Sequence, residues 1–190
     1  MTQAIKRAID VSERLEYERG EKKIRFPPRL KEMIEALRDA LRGNADAARI
    51  CRAWLAETLA SADALAPGVR WPSAQTEYDR LTLFADARRN VTVMAIVWPE
   101  RTSSPVHSHR AWCAFGACVG TLTERTYQNA HDGAPAAHAY EPGAVGFDDS
   151  CGKYCHRLSN DSPEVAVSLH VYGLAPDKLH TINRVMQDVH

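Results

Sequence analysis

The sequence has no net charge: 24 Lys and Arg stand against 24 Asp and Glu. That balance excludes a nucleic-acid binder working through a strong overall basic field, while a local basic patch stays open. Long apolar runs are also missing. No stretch approaches the ~18–20 residues that a membrane helix needs. Residues Met1 to Asp10 are polar and lack the apolar core of a secretion signal. A cytoplasmic protein is expected, with no membrane and no nucleic-acid partner. No Cys-x-x-Cys pair occurs, which argues against a zinc knuckle. The five cysteines are Cys51, Cys113, Cys118, Cys151 and Cys155. An odd count in a chain this long does not read as a disulfide scaffold. Internal repeats and low-complexity tracts are absent as well.

What is present fits one globular unit. A chain of 190 residues is one domain with room for an extension, and 45 % hydrophobic residues is an ordinary globular share. The two halves differ in texture. Leu30, Met33, Ile34, Leu37 and Leu41 recur at helical spacing, with Gly43 and Asn44 as a stop signal. A second helix is predicted from Asp46 to about Ala60, with Ile50, Cys51, Trp54, Leu55 and Leu59 on its apolar face. Residues 3–18 suggest a further, more exposed helix, and Lys22 to Pro28 a linker.

From Tyr78 the pattern changes to short runs of period two. Strands are predicted at Val91 to Trp98, Cys113 to Val119, Thr121 to Gln128, Ala144 to Phe147, Tyr154 to Leu158 and Val165 to Tyr172. Turn residues separate them, among them Asp148-Asp149-Ser150. Short strands between such turns point to a β-sandwich or barrel, not to βαβ units. The expected division is a helical extension over residues 1–70 and a barrel over 71–190, as one structural unit.

The chemistry concentrates in Pro105-Val106-His107-Ser108-His109. On an extended backbone, residues two apart share a face, so His107 and His109 project together. His156 lies in another predicted strand, with Asn160 following at His-x-x-x-Asn. Strands of one small barrel can bring three inward rings to a point. The final strand alternates too: Val165, Val167, Leu169 and Val171 form one face, and Ala166, Ser168, His170 and Tyr172 the other. A row of hydroxyl, imidazole and phenol either bonds internally and lines a site, or faces solvent.

These spacings resemble the two motifs of the cupin superfamily. His107, His109, Cys113 and Gly120 match the first from its first histidine onward, and His156 and Asn160 match the second. Arg101 stands where the first motif has glycine, and Cys113 where it usually has glutamate. Three neutral imidazoles then remain, which favours an anionic donor such as a thiolate from the substrate. Ser168-x-His170-x-Tyr172 after a metal histidine is similar to the cysteine dioxygenase family of thiol dioxygenases. The likeness covers Trp98 to Tyr127 and His156 to Gly173, and extends more weakly back to Tyr78.

The resemblance implies a mainly β, jelly-roll-like cupin barrel with the N-terminal helices packed outside. It implies one Fe(II) held by His107, His109 and His156, with O2 as co-substrate. Both oxygen atoms go to the sulfur of a small thiol carboxylate, L-cysteine giving cysteine sulfinate. Tyr172 would contact substrate and oxygen, with His170 and Ser168 holding its phenol. Animal members join a cysteine near the position of Cys113 to the final-strand tyrosine as a thioether, here Cys113 and Tyr172. Tyr78-Asp79-Arg80 matches the segment whose arginine binds the substrate carboxylate. In the 3-mercaptopropionate branch an arginine follows the tyrosine by about nine residues. That position here is Thr181, with Arg184 three further on. Arg110 should face outward. Cys51, Cys118 and Cys151 are expected in packing or at the surface, and Cys155 on the strand face opposite His156. A 3-mercaptopropionate dioxygenase and a non-redox metal-binding cupin, an isomerase or effector-binding domain, stay open. The expected assembly is a monomer or small homo-oligomer.

Overall fold

A computed structural model describes residues 16–19, 22–25, 28–42, 46–61, 78–127, 135–149 and 155–186. Two helices open the main body, α1 (Pro28–Arg42) and α2 (Ala47–Ala60). Leu30, Met33, Ile34, Leu37 and Leu41 of α1 are all buried, as their spacing requires. Asp46 caps α2 by accepting the Arg49 backbone N–H at 3.0 Å. The Trp54 indole N–H donates to the Met33 carbonyl at 2.7 Å and fixes one helix on the other.

Ahead of them, β1 (Glu16–Arg19) and β2 (Lys22–Arg25) form an antiparallel pair. This corrects two expectations: the helix over 3–18 does not include its last residues, and Lys22 to Arg25 is strand, not linker. The register sets Glu16 opposite Arg25 and Glu18 opposite Lys23. The rest of the expected helix lies outside the described residues.

The remaining strands are β3 (Asp79–Asp86), β4 (Val91–Trp98), β5 (Thr102–Ser103), β6 (His107–His109), β7 (Cys113–Val119), β8 (Leu122–Tyr127), β9 (Ala136–Tyr140), β10 (Val145–Asp148), β11 (Cys155–Asn160), β12 (Ala166–Tyr172) and β13 (Asn183–Val185). They make two antiparallel sheets. One has the order β10-β7-β12-β4-β3, the other β13-β6-β11-β8-β9, with β5 also on β11. The expected class, a mainly β jelly-roll-like barrel with N-terminal helices outside it, is the one observed.

The first sheet is covered on both faces, so β4 and β12 are buried along their whole length. Leu81, Leu83, Val91, Val93, Ala95, Val97, Val167, Leu169 and Val171 pack with α1 and α2. Met94, Ile96, Trp98, Cys113, Phe115, Ala166 and Tyr172 belong to a second cluster, inside the barrel. The row Ser168, His170 and Tyr172 therefore faces inward, not to solvent. Gly120 turns β7 into β8 with φ +68°, a left-handed conformation that suits glycine.

Candidate metal centre

Neighbouring strands bring the three histidines together. His107 and His109 share a face of β6, and β11 pairs with β6 so that His156 lies opposite His107. One nitrogen from each ring lies within 4.8 Å of the others, and all three side chains are buried. The ring centroids are 4.7–5.0 Å apart.

The opposite ring nitrogens settle the tautomers. His107 Nδ1 lies 2.9 Å from the Pro105 carbonyl, His109 Nδ1 3.2 Å from Asp148 Oδ2, and His156 Nδ1 2.6 Å from Glu124 Oε1. A carbonyl or an ionised carboxylate only accepts, so each Nδ1 carries the hydrogen. Each Nε2 then presents a lone pair to the centre of the cluster, as a metal ligand must. Burial pushes His107 down to about 3 and lowers His109, with the neighbouring imidazoles adding to both shifts. These two rings are therefore held in the neutral form that binds metal. The donor set fits one divalent ion: three imidazoles, geometrically convergent, with ring orientation fixed from behind.

Glu124 and Asp148 are buried, and the sequence reading missed both. The Tyr140 hydroxyl donates to the second oxygen of Glu124 at 2.9 Å. Glu124 had a signal: it alternates with buried Leu122 on β8, and an acid on an inward row needs a partner. Asp148 was hidden in what reads as a turn, yet it ends β10. Among the described residues the cluster has no carboxylate ligand, but two carboxylates sit one hydrogen bond behind it.

On β12 the inward row forms a continuous chain. The Trp98 indole N–H donates to Ser168 Oγ at 2.9 Å, Ser168 Oγ lies 2.8 Å from His170 Nε2, and His170 Nδ1 lies 3.3 Å from the Tyr172 hydroxyl. Burial holds His170 well below its ordinary value and Tyr172 well above, so both are neutral. The Tyr172 ring is 5.8 Å from that of His109. Cys113 on β7 is the register partner of Tyr172 on one side and of Asp148 on the other. Its thiol is buried, and burial and the two acids keep it protonated.

Arg80 opposes Ile96, which in turn opposes Ser168, so Arg80 lies on the inner side of the sheet, toward its edge. Its guanidinium donates to the Tyr78 hydroxyl at 3.1 Å and lies over that ring, which packs on Trp98 with centroids 4.9 Å apart. Arg80 is exposed and lines an open cavity of about 810 Å³ with Tyr78, Ser104 and Pro105. The wall ends at Pro105, whose carbonyl holds His107. Arg184 opposes Ser108 on β13, the strand face away from His107 and His109. Arg110 is exposed. Asn160 is structural: its amide is directed at the Trp98, Pro99 and Glu164 carbonyls and ties β4 to β11. Cys51 is buried in the helical packing, Cys118 and Cys155 are half-buried, and Cys151 lies outside the described residues.

No protein-family model matches the chain, and no curated protein does. Solved structures similar to it include a double-stranded β-helix protein from Klebsiella pneumoniae, with 14 % identity over 62 % of this chain and 90 % of that one, and a TM-score of 0.45. An RmlC-like cupin family protein from Methanocaldococcus jannaschii shows 17 % identity over 58 % and 93 %, with a TM-score of 0.43. Oxalate decarboxylase from Bacillus subtilis, described with Mn(II) centres, shows 16 % identity over 52 % of this chain and 24 % of that one, with a TM-score of 0.42.

Proposed function

We propose that the chain is an iron-dependent thiol dioxygenase that converts a small thiol carboxylate to its sulfinate, with L-cysteine as the expected substrate. The observation that carries this reading is the hydrogen-bonded row from Trp98 through Ser168 and His170 to Tyr172, ending beside a three-histidine cluster. When bound, Fe(II) supplies the redox chemistry that lets O2 react with a thiolate. The overall change is balanced: one thiol and one O2 give one sulfinic acid.

The residues divide the remaining work. His107, His109 and His156 are the metal ligands. Arg80 pairs with the substrate carboxylate, with Tyr78 holding the guanidinium in place. An indole N–H can only donate, so Trp98 gives the row a direction. Ser168 then donates to His170 Nε2, and His170 Nδ1–H donates to the phenol oxygen. The Tyr172 O–H is left to donate toward substrate or oxygen beside His109.

The test is oxygen consumption by the Fe(II)-loaded protein with L-cysteine, 3-mercaptopropionate and cysteamine, with the product identified by mass. One sulfinate per O2 supports the reading. Oxygen-independent turnover, or iron-loaded protein inert to every thiol, leaves a non-redox metal-binding cupin.

A further inference from the structure

His109 has a neighbour on β13 with no part yet in the site. Asn183 is its direct register partner. Residues directly opposite in a ladder share a face of the sheet, so Asn183 stands on the inner face with the three histidines. The backbone bonds fix how close the two side chains are. The Arg110 N–H donates to the Ile182 carbonyl and the Met186 N–H to the Val106 carbonyl, each at 2.9 Å. Hydrogen-bonded and non-hydrogen-bonded pairs alternate along an antiparallel ladder, which makes His109 and Asn183 a non-hydrogen-bonded pair. Side chains are closest in such pairs, with Cα atoms about 4.5 Å apart.

Asn183 Oδ1 is buried and has no hydrogen-bond partner among the described residues. An amide oxygen only accepts, and leaving one buried and unmet is costly. The strand does not require it: Val185, which opposes His107 two residues on, shows that this row takes an apolar side chain. Burial does not separate Asn183 from a ligand of the cluster. His109 is itself 2 % exposed, so a molecule held there is enclosed with both side chains.

The missing partner is a hydrogen-bond donor. Tyr172, whose ring is 5.8 Å from that of His109, offers an O–H, and Arg80, whose charge helps keep His107 neutral, offers N–H groups. Both suit oxygen atoms of a ligand. Asn183 instead suits an N–H. L-cysteine has one in its amine, and 3-mercaptopropionate has none.

We propose that Asn183 is a specificity-determining residue: its Oδ1 accepts a hydrogen bond from the amine of the substrate, so that the chain selects an amino thiol over a thiol without an amine. That the ligand is a thiol rests on the dioxygenase reading; the preference for an N–H donor rests on the orphaned acceptor beside His109.

Anaerobic calorimetric titration of the Fe(II)-loaded chain with cysteamine and 1-propanethiol tests this. The two thiols match in size and differ by an amine in place of a methyl, and neither has a carboxylate for Arg80. The parent should prefer cysteamine. Asn183→Ala should weaken cysteamine binding by about tenfold, the size expected for a hydrogen bond to a charged group, and leave 1-propanethiol unchanged. Asn183→Asp should keep the preference, since a carboxylate offers only acceptors. Iron affinity by chelator competition and the melting temperature should not fall in Asn183→Ala, because Oδ1 makes no bond within the protein. A parent without preference for cysteamine overturns the assignment. So does an equal loss for both thiols in Asn183→Ala, or a loss in Asn183→Asp as large as in Asn183→Ala. Oxygen uptake reads the other layer. If no thiol is oxidised, yet Asn183→Ala still loses the amine preference, Asn183 stands as the amine acceptor and the dioxygenase reading falls.

Discussion

Cys113 and Tyr172 are direct cross-strand partners on β7 and β12, both inside the barrel and both neutral. Side chains so placed start from Cβ atoms about 4.5–5.5 Å apart on one face. Iron-dependent turnover is expected to join them as a thioether, with O2 taking up the two hydrogens lost. Intact mass should fall by about two mass units. Cys113→Ser should keep its unmodified mass and much of its activity, because Cys113 is not a metal ligand here. A peptide map with Tyr172 unmodified after many turnovers would show that the bond does not form.

Metal retention should depend on residues that never touch the metal. His107→Ala, His109→Ala and His156→Ala should each lose most of the iron. Glu124→Gln and Asp148→Asn should weaken binding about 10–100-fold, since each removes an acceptor that orients a ligand ring. Tyr140→Phe, one bond further out, should cost less. Competition against a chelator measures all six. Unchanged affinity in both carboxylate variants would mean that the rings are oriented by packing alone.

Arg80 and Arg184 separate two thiol readings. Truncating one partner of a buried charge pair costs about 2–5 kcal/mol, and the exposure of Arg80 puts it at the low end. Arg80→Ala should thus lower kcat/KM for L-cysteine by roughly 30-fold, at about 1.4 kcal/mol per tenfold. Cysteamine, with no carboxylate, should be a poor substrate that changes little. A large loss in Arg184→Ala with none in Arg80→Ala would favour the 3-mercaptopropionate reading.

Acid should unfold the metal-free protein early. His107 has a folded value of about 3 against 6.5 unfolded, so the unfolded chain binds more protons throughout that window. Stability contributed by the neutral ring is complete above pH 6.5 and is lost as the pH falls toward 3. Between pH 6.5 and 4.5, His107 alone accounts for about 2–3 kcal/mol. His109 and His170 shift in the same direction and add to it. Urea midpoints of the metal-free protein at pH 7 and 4.5 measure the loss. Equal midpoints would mean that these rings are not buried without metal.

Periodicity made much of this legible in the sequence. The stripe from Leu30 to Leu41 and the apolar face from Ile50 to Leu59 predict both helices to within a residue or two of α1 and α2. The alternation of β12 sorts its inward and outward residues correctly. Period two reports a face, however, and not what faces it. Glu124 and His156 are 32 residues apart in the chain, and His109 and Asp148 are 39 apart. Only strand order brings each pair together, and no local pattern encodes strand order. The pairing of β1 with β2 was missed for a related reason: two four-residue segments give too short a pattern, and only the register joins them.

The burial of β12 on both faces has a bearing on how this protein can change. Each residue on that strand answers to one of two masters: Val167, Leu169 and Val171 to the helices, and Ser168, His170 and Tyr172 to the chemistry. A single substitution at an even position can alter reactivity without disturbing the packing under α1 and α2. Insertion or deletion of one residue before β12 is a different matter. A slip of one would turn the phenol and imidazole into the helical core and the valines into the site. The strand can therefore drift by point substitution but not by length, and relatives with altered reactivity should keep its spacing to β11 in steps that preserve the face.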